Sequence, residues 1–226
     1  RKISLLQKEE IEQNLAIDLN KTLAFVGYQS DNMMTNKSSI DWKRDSGLLS
    51  IWILGMFTPS DQTAVVIPFK DSLALNDSYF GAIESDRLKV KENIILFKGD
   101  GKYRSKIGIP PQNALSTFGS YDLNQNILTV IQYTLDENGS YVNSLWEIQE
   151  DPYGGDVVNS YNDGPLNNGE QLGPFYELET SSPAKALKAN ECIKHIHRTY
   201  HFEGSPEALN IIAKKVFGTD LNTIEI

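Results

Sequence analysis

Glu177 and Glu179 stand two residues apart in the stretch Gly173 to Ala184. His195, His197 and His201, the only histidines of the chain, follow between Glu191 and Phe202. Carboxylates and imidazoles are the side chains best suited to moving protons near neutral pH, so the chemistry open to this region is general acid–base work. Both stretches read as strands. Side chains alternate across a strand, which puts Glu177 and Glu179 on one face of the first. It also puts His195, His197, Thr199 and His201 on one face of the second. Two carboxylates at that spacing cannot both be buried and ionised without compensation. A cation, a metal or solvent must answer them, and Arg104 and Lys106 are the cations at hand.

Lys102, Arg104 and Lys106 occupy alternate positions of the stretch 102–109. Basic side chains spaced this way can form a fork for a uronate or another acidic sugar, pair with Glu177 and Glu179, or make a solvated strand face. Asn159, Asn162 and Asp163 lie before a Gly-Pro pair, where Asx side chains ordinarily shape turns. The same oxygens could line a sugar cleft or ligate Ca2+. Trp42, Trp52, Trp146, Tyr79, Tyr103 and Tyr161 can serve the core or a stacking platform. No phosphate-binding loop, zinc spacing, serine-nucleophile elbow or dinucleotide fingerprint is present.

The elements that must position these residues read as strands and turns. Strand patterns cover 1–6, 63–69, 87–90 with 93–98 as a hairpin, 102–109, 116–122, 127–134, 142–149 with Trp146, and 157–161. Residues 22–36 read as two strands around a polar bend. Residues 8–16 read as a short helical or irregular turn. The apolar run 48–57 predicts a central strand covered on both faces. Ser205 as cap, Pro206 in the first turn and Gly218 as stop delimit a C-terminal helix over 205–217. The fold class is mainly β: one antiparallel sandwich domain with a C-terminal helix.

Composition narrows the partners. With 226 residues the chain can bury a sizeable core, and a formal net charge of -9 argues against nucleic acid or an anionic membrane. No apolar run is long enough to span a bilayer. Cys192, the single cysteine, allows no intrachain disulfide, and its strand context predicts a small buried apolar side chain. Nothing in the sequence fixes an oligomeric state.

Leu178-Glu-Thr180, Leu187, Glu191 and the strand ending Thr199-Tyr-His-Phe202 resemble the C-terminal motif of the galactose mutarotase (aldose 1-epimerase) superfamily. The segments 47–57, 97–111, 160–165 and 175–183 also resemble an uncharacterised family of exported bacterial proteins with that fold. The resemblance implies an antiparallel β-supersandwich whose concave sheet binds a carbohydrate, with Glu179 in the position of the catalytic base. It implies a periplasmic or extracellular location and a chain that is the C-terminal part of a longer one; apart from the Ca2+ that the Asx oxygens could take, no cofactor is expected. Read from their own positions and chemistry, Glu177, Arg104, Lys106, Lys102, Asn162, Asp163 and His197 are the candidate substrate-binding residues beside Glu179. Two departures stand out. The turn 187–191 has Ala189 and Asn190 where the superfamily has Pro-Gly, and the strand at 50–55 lacks the histidine that supplies the acid. Three functions therefore stay open: a sugar isomerase, a glycan-binding protein, and a structural or assembly domain with a vestigial cleft.

Overall fold

The computed structural model describes residues 1–224. Along the chain run β1 (Lys2–Leu5), α1 (Lys8–Leu15), β2 (Ala24–Thr35), β3 (Trp52–Phe57), β4 (Thr63–Pro68), β5 (Leu88–Lys91) and β6 (Ile94–Lys98). There follow β7 (Ser105–Ile109), β8 (Thr117–Asp122), β9 (Ile127–Tyr133), β10 (Val158–Asn162), β11 (Tyr176–Ser181), β12 (Cys192–Glu203) and α2 (Pro206–Val216). An eight-stranded sheet in the order β1-β2-β12-β9-β8-β4-β6-β5 packs on a four-stranded sheet in the order β3-β11-β10-β7. Neighbouring strands in both sheets are antiparallel.

The large sheet is covered on both faces, and alternation in its strands shows how. In β4, Val65 and Ile67 join Ile107, Ile109, Val158 and Leu178 of the small sheet in one core, while Ala64 and Val66 face the helices. In β12, Tyr200 and Phe202 pack with Ile11 of α1 and Leu209 and Ile212 of α2. The three layers are thus helices, large sheet and small sheet. Helix α2 starts where the sequence predicts, with the Ser205 hydroxyl accepting from the Ala208 amide at 3.3 Å. Burying a side chain such as Leu209 contributes about 2 kcal/mol, enough to hold a short helix that would be marginal alone.

Four readings are corrected. The run 48–57 forms only β3, an edge strand with Trp52 and Met56 exposed; β4 is the strand buried on both faces. Residues 24–35 form one continuous strand, because β12 pairs with β2 along its whole length and leaves no place for a bend. The stretch 142–149 is a loop, closed by Gln149 donating to the Leu145 carbonyl, with Trp146 and Ile148 fully exposed. Cys192 is exposed because it opens β12 on the outward side of the alternation. At the turn 187–191, Asn190 has φ of +67°, a conformation that glycine takes freely and asparagine tolerates. That accounts for Asn at this turn.

Candidate functional site

Alternation in the small sheet sorts its side chains into two faces. Ile53, Leu178, Val158 and Ile107 point into the sandwich, and their strand neighbours point outward. The register sets two outward rows: Leu54, Glu179, Asn159 and Gly108 form one, and Met56, Glu177, Tyr161 and Lys106 the other. Glu179 is at the centre and is 1% exposed. Its Oε2 accepts from Lys106 Nζ at 2.9 Å and from the Trp52 indole N–H at 2.9 Å. Its Oε1, equally buried, has no hydrogen-bond donor.

Lys106 is held from both sides. Its ammonium lies 5.3 Å from the Tyr79 ring centre and 5.8 Å from that of Trp52, within the range where a cation is drawn to an aromatic face. Tyr79 is fixed in turn by donating to Asp156 Oδ2 at 2.7 Å, while its oxygen accepts from Asn159 at 3.0 Å and Ser144 at 3.2 Å. Asn76 donates to the same Asp156 oxygen at 2.9 Å, and its backbone exchanges two hydrogen bonds with Gly108. This cluster sits directly over Gly108, where a Cβ would collide with the Asp156 carboxylate. Burial pushes the Asp156 carboxyl upward, against the pull of Tyr79, Asn76 and Lys106, and drives the Tyr79 phenol well above its usual range.

Glu177 is the second carboxyl of the face. Both donors that hold the Lys106–Trp52 corner go to Glu179, so Glu177 faces a neighbour of its own charge. Its pKa is pushed up to about 7, first by burial and then by Glu179. On its other side Tyr161 donates to Asp163 at 2.8 Å and accepts from Arg104 Nε at 3.3 Å. The Arg104 guanidinium lies 4.2 Å from the centre of the Phe80 ring. Phe80, Trp52 and Met56 leave apolar surface exposed around the carboxyl pair.

The predicted residues therefore separate. Glu177, Glu179, Lys106, Arg104 and Asn159 share the outer face or its margin. Lys102 precedes β7 and pairs with Asp61 at 2.7 Å on the exposed surface; the strand is shorter than the alternation implied. Asn162 points inward, accepting from Gly101 and donating to the Tyr103 carbonyl. Asp163 is consumed in holding Tyr161 and the Gly173 amide. The histidines lie on the opposite side of β11 from the carboxylates. Thr180 Oγ1 sits 2.8 Å from His195 Nε2 and 2.9 Å from His197 Nδ1, so His197 is a buried link between sheets and not a neighbour of Glu179. His201 meets Thr129 at 3.0 Å and the edge of Phe57.

Among the described residues no group of three or more His, Cys, Asp or Glu could hold a metal ion. No helix among the described residues is long and apolar enough to cross a membrane. Asn76 and Asp156 were missed by the sequence reading; the only signal was that Gly108 leaves a gap in the row that something must fill. A cavity of about 620 Å³ lies elsewhere, between the β5–β6 hairpin and the segment after α2, lined by Lys91, Asn93, Phe217 and Asp220.

A family model described as a family of unknown function, DUF6786, matches residues 1–226. The chain belongs to DUF6786. No curated protein matches the sequence. Among solved structures this DUF6786 chain is similar to a provisionally assigned mutarotase from Salmonella typhimurium, with 11% identity and a TM-score of 0.41 over 81% of this chain and 51% of that one. It is also similar to a Synechocystis sp. PCC 6803 protein, with 9% identity, TM-score 0.44, and 81% and 55% of the two chains covered. A third is a provisionally assigned aldose 1-epimerase from Escherichia coli K12, with 10% identity, TM-score 0.46, and 83% and 58% covered. The chain spans little more than half the length of these structures. Likeness at that level carries no residue roles, and those rest on the geometry above.

Proposed function

We propose that the outer face of the four-stranded sheet binds a carbohydrate, with Glu179 as its central acceptor. The observation that carries this reading is the Glu179 carboxylate itself: Oε2 takes two donors, and Oε1 is buried with none. An unsatisfied buried acceptor costs about 1–3 kcal/mol, and a ligand hydroxyl relieves that cost. Lys106, Asn159 and Tyr161 supply further polar atoms on the same face, and Trp52 and Phe80 supply exposed rings for the apolar side of a sugar. The resemblance of Leu178-Glu-Thr180 to the mutarotase motif points to the same ligand class.

Saturation-transfer NMR against a panel of free aldoses, uronates and short glycans tests the reading. Transfer from the protein to at least one sugar, weakened in Glu179→Gln, is the expected result. Silence across the panel would overturn it. The exposed Trp146 and Ile148 favour a second reading as an assembly domain, and concentration-dependent self-association alongside that silence would select it.

A further inference from the structure

The basic row 102–106, which reads as a fork for an acidic sugar, is spent on other partners. Lys106 pairs with Glu179 at 2.9 Å, and Lys102 pairs with Asp61 at 2.7 Å on the exposed surface. The Arg104 guanidinium lies over the Phe80 ring at 4.2 Å and donates through Nε to Tyr161. Carboxyls then outnumber cations on this face: Glu177, Glu179, Asp156 and Asp163 stand against Lys106 and Arg104. Asp156 is answered by Tyr79 and Asn76, and Asp163 by Tyr161 and the Gly173 amide. Glu177 is left over. It is 8% exposed, and among the described residues no lysine or arginine pairs with it. Beside it Glu179 Oε1 is buried with no donor of its own.

We propose that the carbohydrate of this face is a cationic amino sugar, a 2-amino-2-deoxyhexose whose ammonium pairs with Glu177 while a neighbouring hydroxyl donates to Glu179. This rests on the carbohydrate reading above and narrows it to one charge class. The ligand geometry suits the strand. Glu177 and Glu179 leave the same side of β11 two residues, about 7 Å, apart. In such a sugar the amine and a hydroxyl stand on adjacent ring carbons and fan outward, so one edge of the ring presents both groups to both carboxyls.

The face already holds one ammonium in this manner. Lys106 Nζ sits against the Glu179 carboxylate, 5.3 Å from the Tyr79 ring centre and 5.8 Å from that of Trp52. A ligand ammonium beside Glu177 repeats that arrangement one position along the strand, with the exposed rings of Trp52 and Phe80 left for the apolar side of the sugar.

The other charge classes fare worse. A uronate sets a third carboxylate beside two that already repel each other, and an N-acetylated or unsubstituted hexose leaves Glu177 without a counter-charge. Without a cation the face answers its excess charge by holding a proton. Burial first and the Glu179 carboxylate next raise the Glu177 pKa to about 7, with Asp163 adding to the rise and Lys106 opposing it. A bound ammonium takes the place of that proton and leaves both carboxylates charged.

Calorimetric titration at pH 7, read beside saturation transfer, tests the proposal. The ligands are D-glucosamine and D-galactosamine, their N-acetyl derivatives, the parent hexoses and the matching uronates. At least one amino sugar should bind about tenfold or more tightly than its N-acetyl derivative and its parent hexose, the scale of a hydrogen bond between charged groups. That preference should shrink as salt is added. Glu177→Gln keeps the shape of the side chain without its charge and should close the gap between amino sugar and hexose, while Glu177→Asp should keep part of it. Equal affinity for an amino sugar and its N-acetyl form, tighter binding of a uronate, or an undiminished preference in Glu177→Gln would each overturn the proposal and leave the carbohydrate reading standing. Silence from both amino sugars would overturn it as well, and silence across the wider panel would remove the carbohydrate reading with it.

Discussion

Lys106 Nζ and Glu179 Oε2 meet at 2.9 Å where the carboxylate side chain is 1% exposed and the lysine side chain 12%. A pair this deep is unforgiving of half-removal, because the surviving charge keeps its desolvation cost and loses its partner. Lys106→Met is expected to destabilise the fold by about 3 kcal/mol. Pairing it with Glu179→Gln should recover much of that loss. Urea unfolding of the two single variants and the double variant measures the coupling, and strict additivity would show that the pair contributes nothing jointly.

Trp52 donates to the same Glu179 oxygen while leaving its ring exposed. Trp52→Phe keeps a ring and removes the donor. Sugar binding should perturb tryptophan emission in the wild type, and the change should vanish in the variant, although Trp42 and Trp146 remain. Affinity should fall about tenfold, the scale of one hydrogen bond to a charged group. Titration followed by fluorescence, with calorimetry for the variant, reads both effects.

Glu177 makes stability depend on pH in a definite direction. Its folded pKa of about 7 lies above the ordinary 4.5, so the folded protein holds this proton more tightly than the unfolded chain does. That contribution is fully present below about pH 4.5 and is lost as pH rises through about 7. Glu177→Gln removes the dependence. Between those limits the variant should gain stability relative to wild type as pH rises, with a constant difference on either side. Urea midpoints measured from pH 4.5 to 8 supply the comparison.

The histidines act in the opposite direction. Burial lowers His195 to about 4 and His197 to about 3, against an ordinary 6.5. The folded state refuses protons that the unfolded chain accepts, so their contribution is present above pH 6.5 and lost as pH falls through about 4 and then 3. Replacing both by glutamine should flatten the acid limb of the stability profile whatever it does to the plateau. The slope below pH 6.5, not the midpoint, is the quantity to compare.

Strand alternation made most of the fold legible, since β4, β8, β9, β11 and α2 carry patterns that tertiary context reinforces. It failed where context decides. Residues 48–57 are apolar enough for a central strand, yet β3 lies at an edge, and the apolar side chains on its outer face surround a polar site rather than enter a core. At the site, alternation placed Glu177 and Glu179 together, and the need for compensation singled out Lys106. It could not say on which side of β11 the histidines would lie, because that depends on how two sheets stack. Asp156 and Asn76 were beyond reach for a related reason: their place is set by a loop folding over Gly108, and loops leave no periodic trace.

The Thr180 hydroxyl has one hydrogen to give, yet it contacts two imidazoles. Thr134 extends the contact: its hydroxyl lies 3.4 Å from His195 Nδ1 and 3.3 Å from the Ile196 carbonyl, and it accepts from the Ile196 amide at 2.8 Å. If Thr180 donates to His197 Nδ1, His195 must present a hydrogen on Nε2; if it donates to His195 Nε2, His197 must present one on Nδ1. One hydroxyl thus links the tautomers of the two buried rings, and a change of protonation on either is answered by a turn of Thr180.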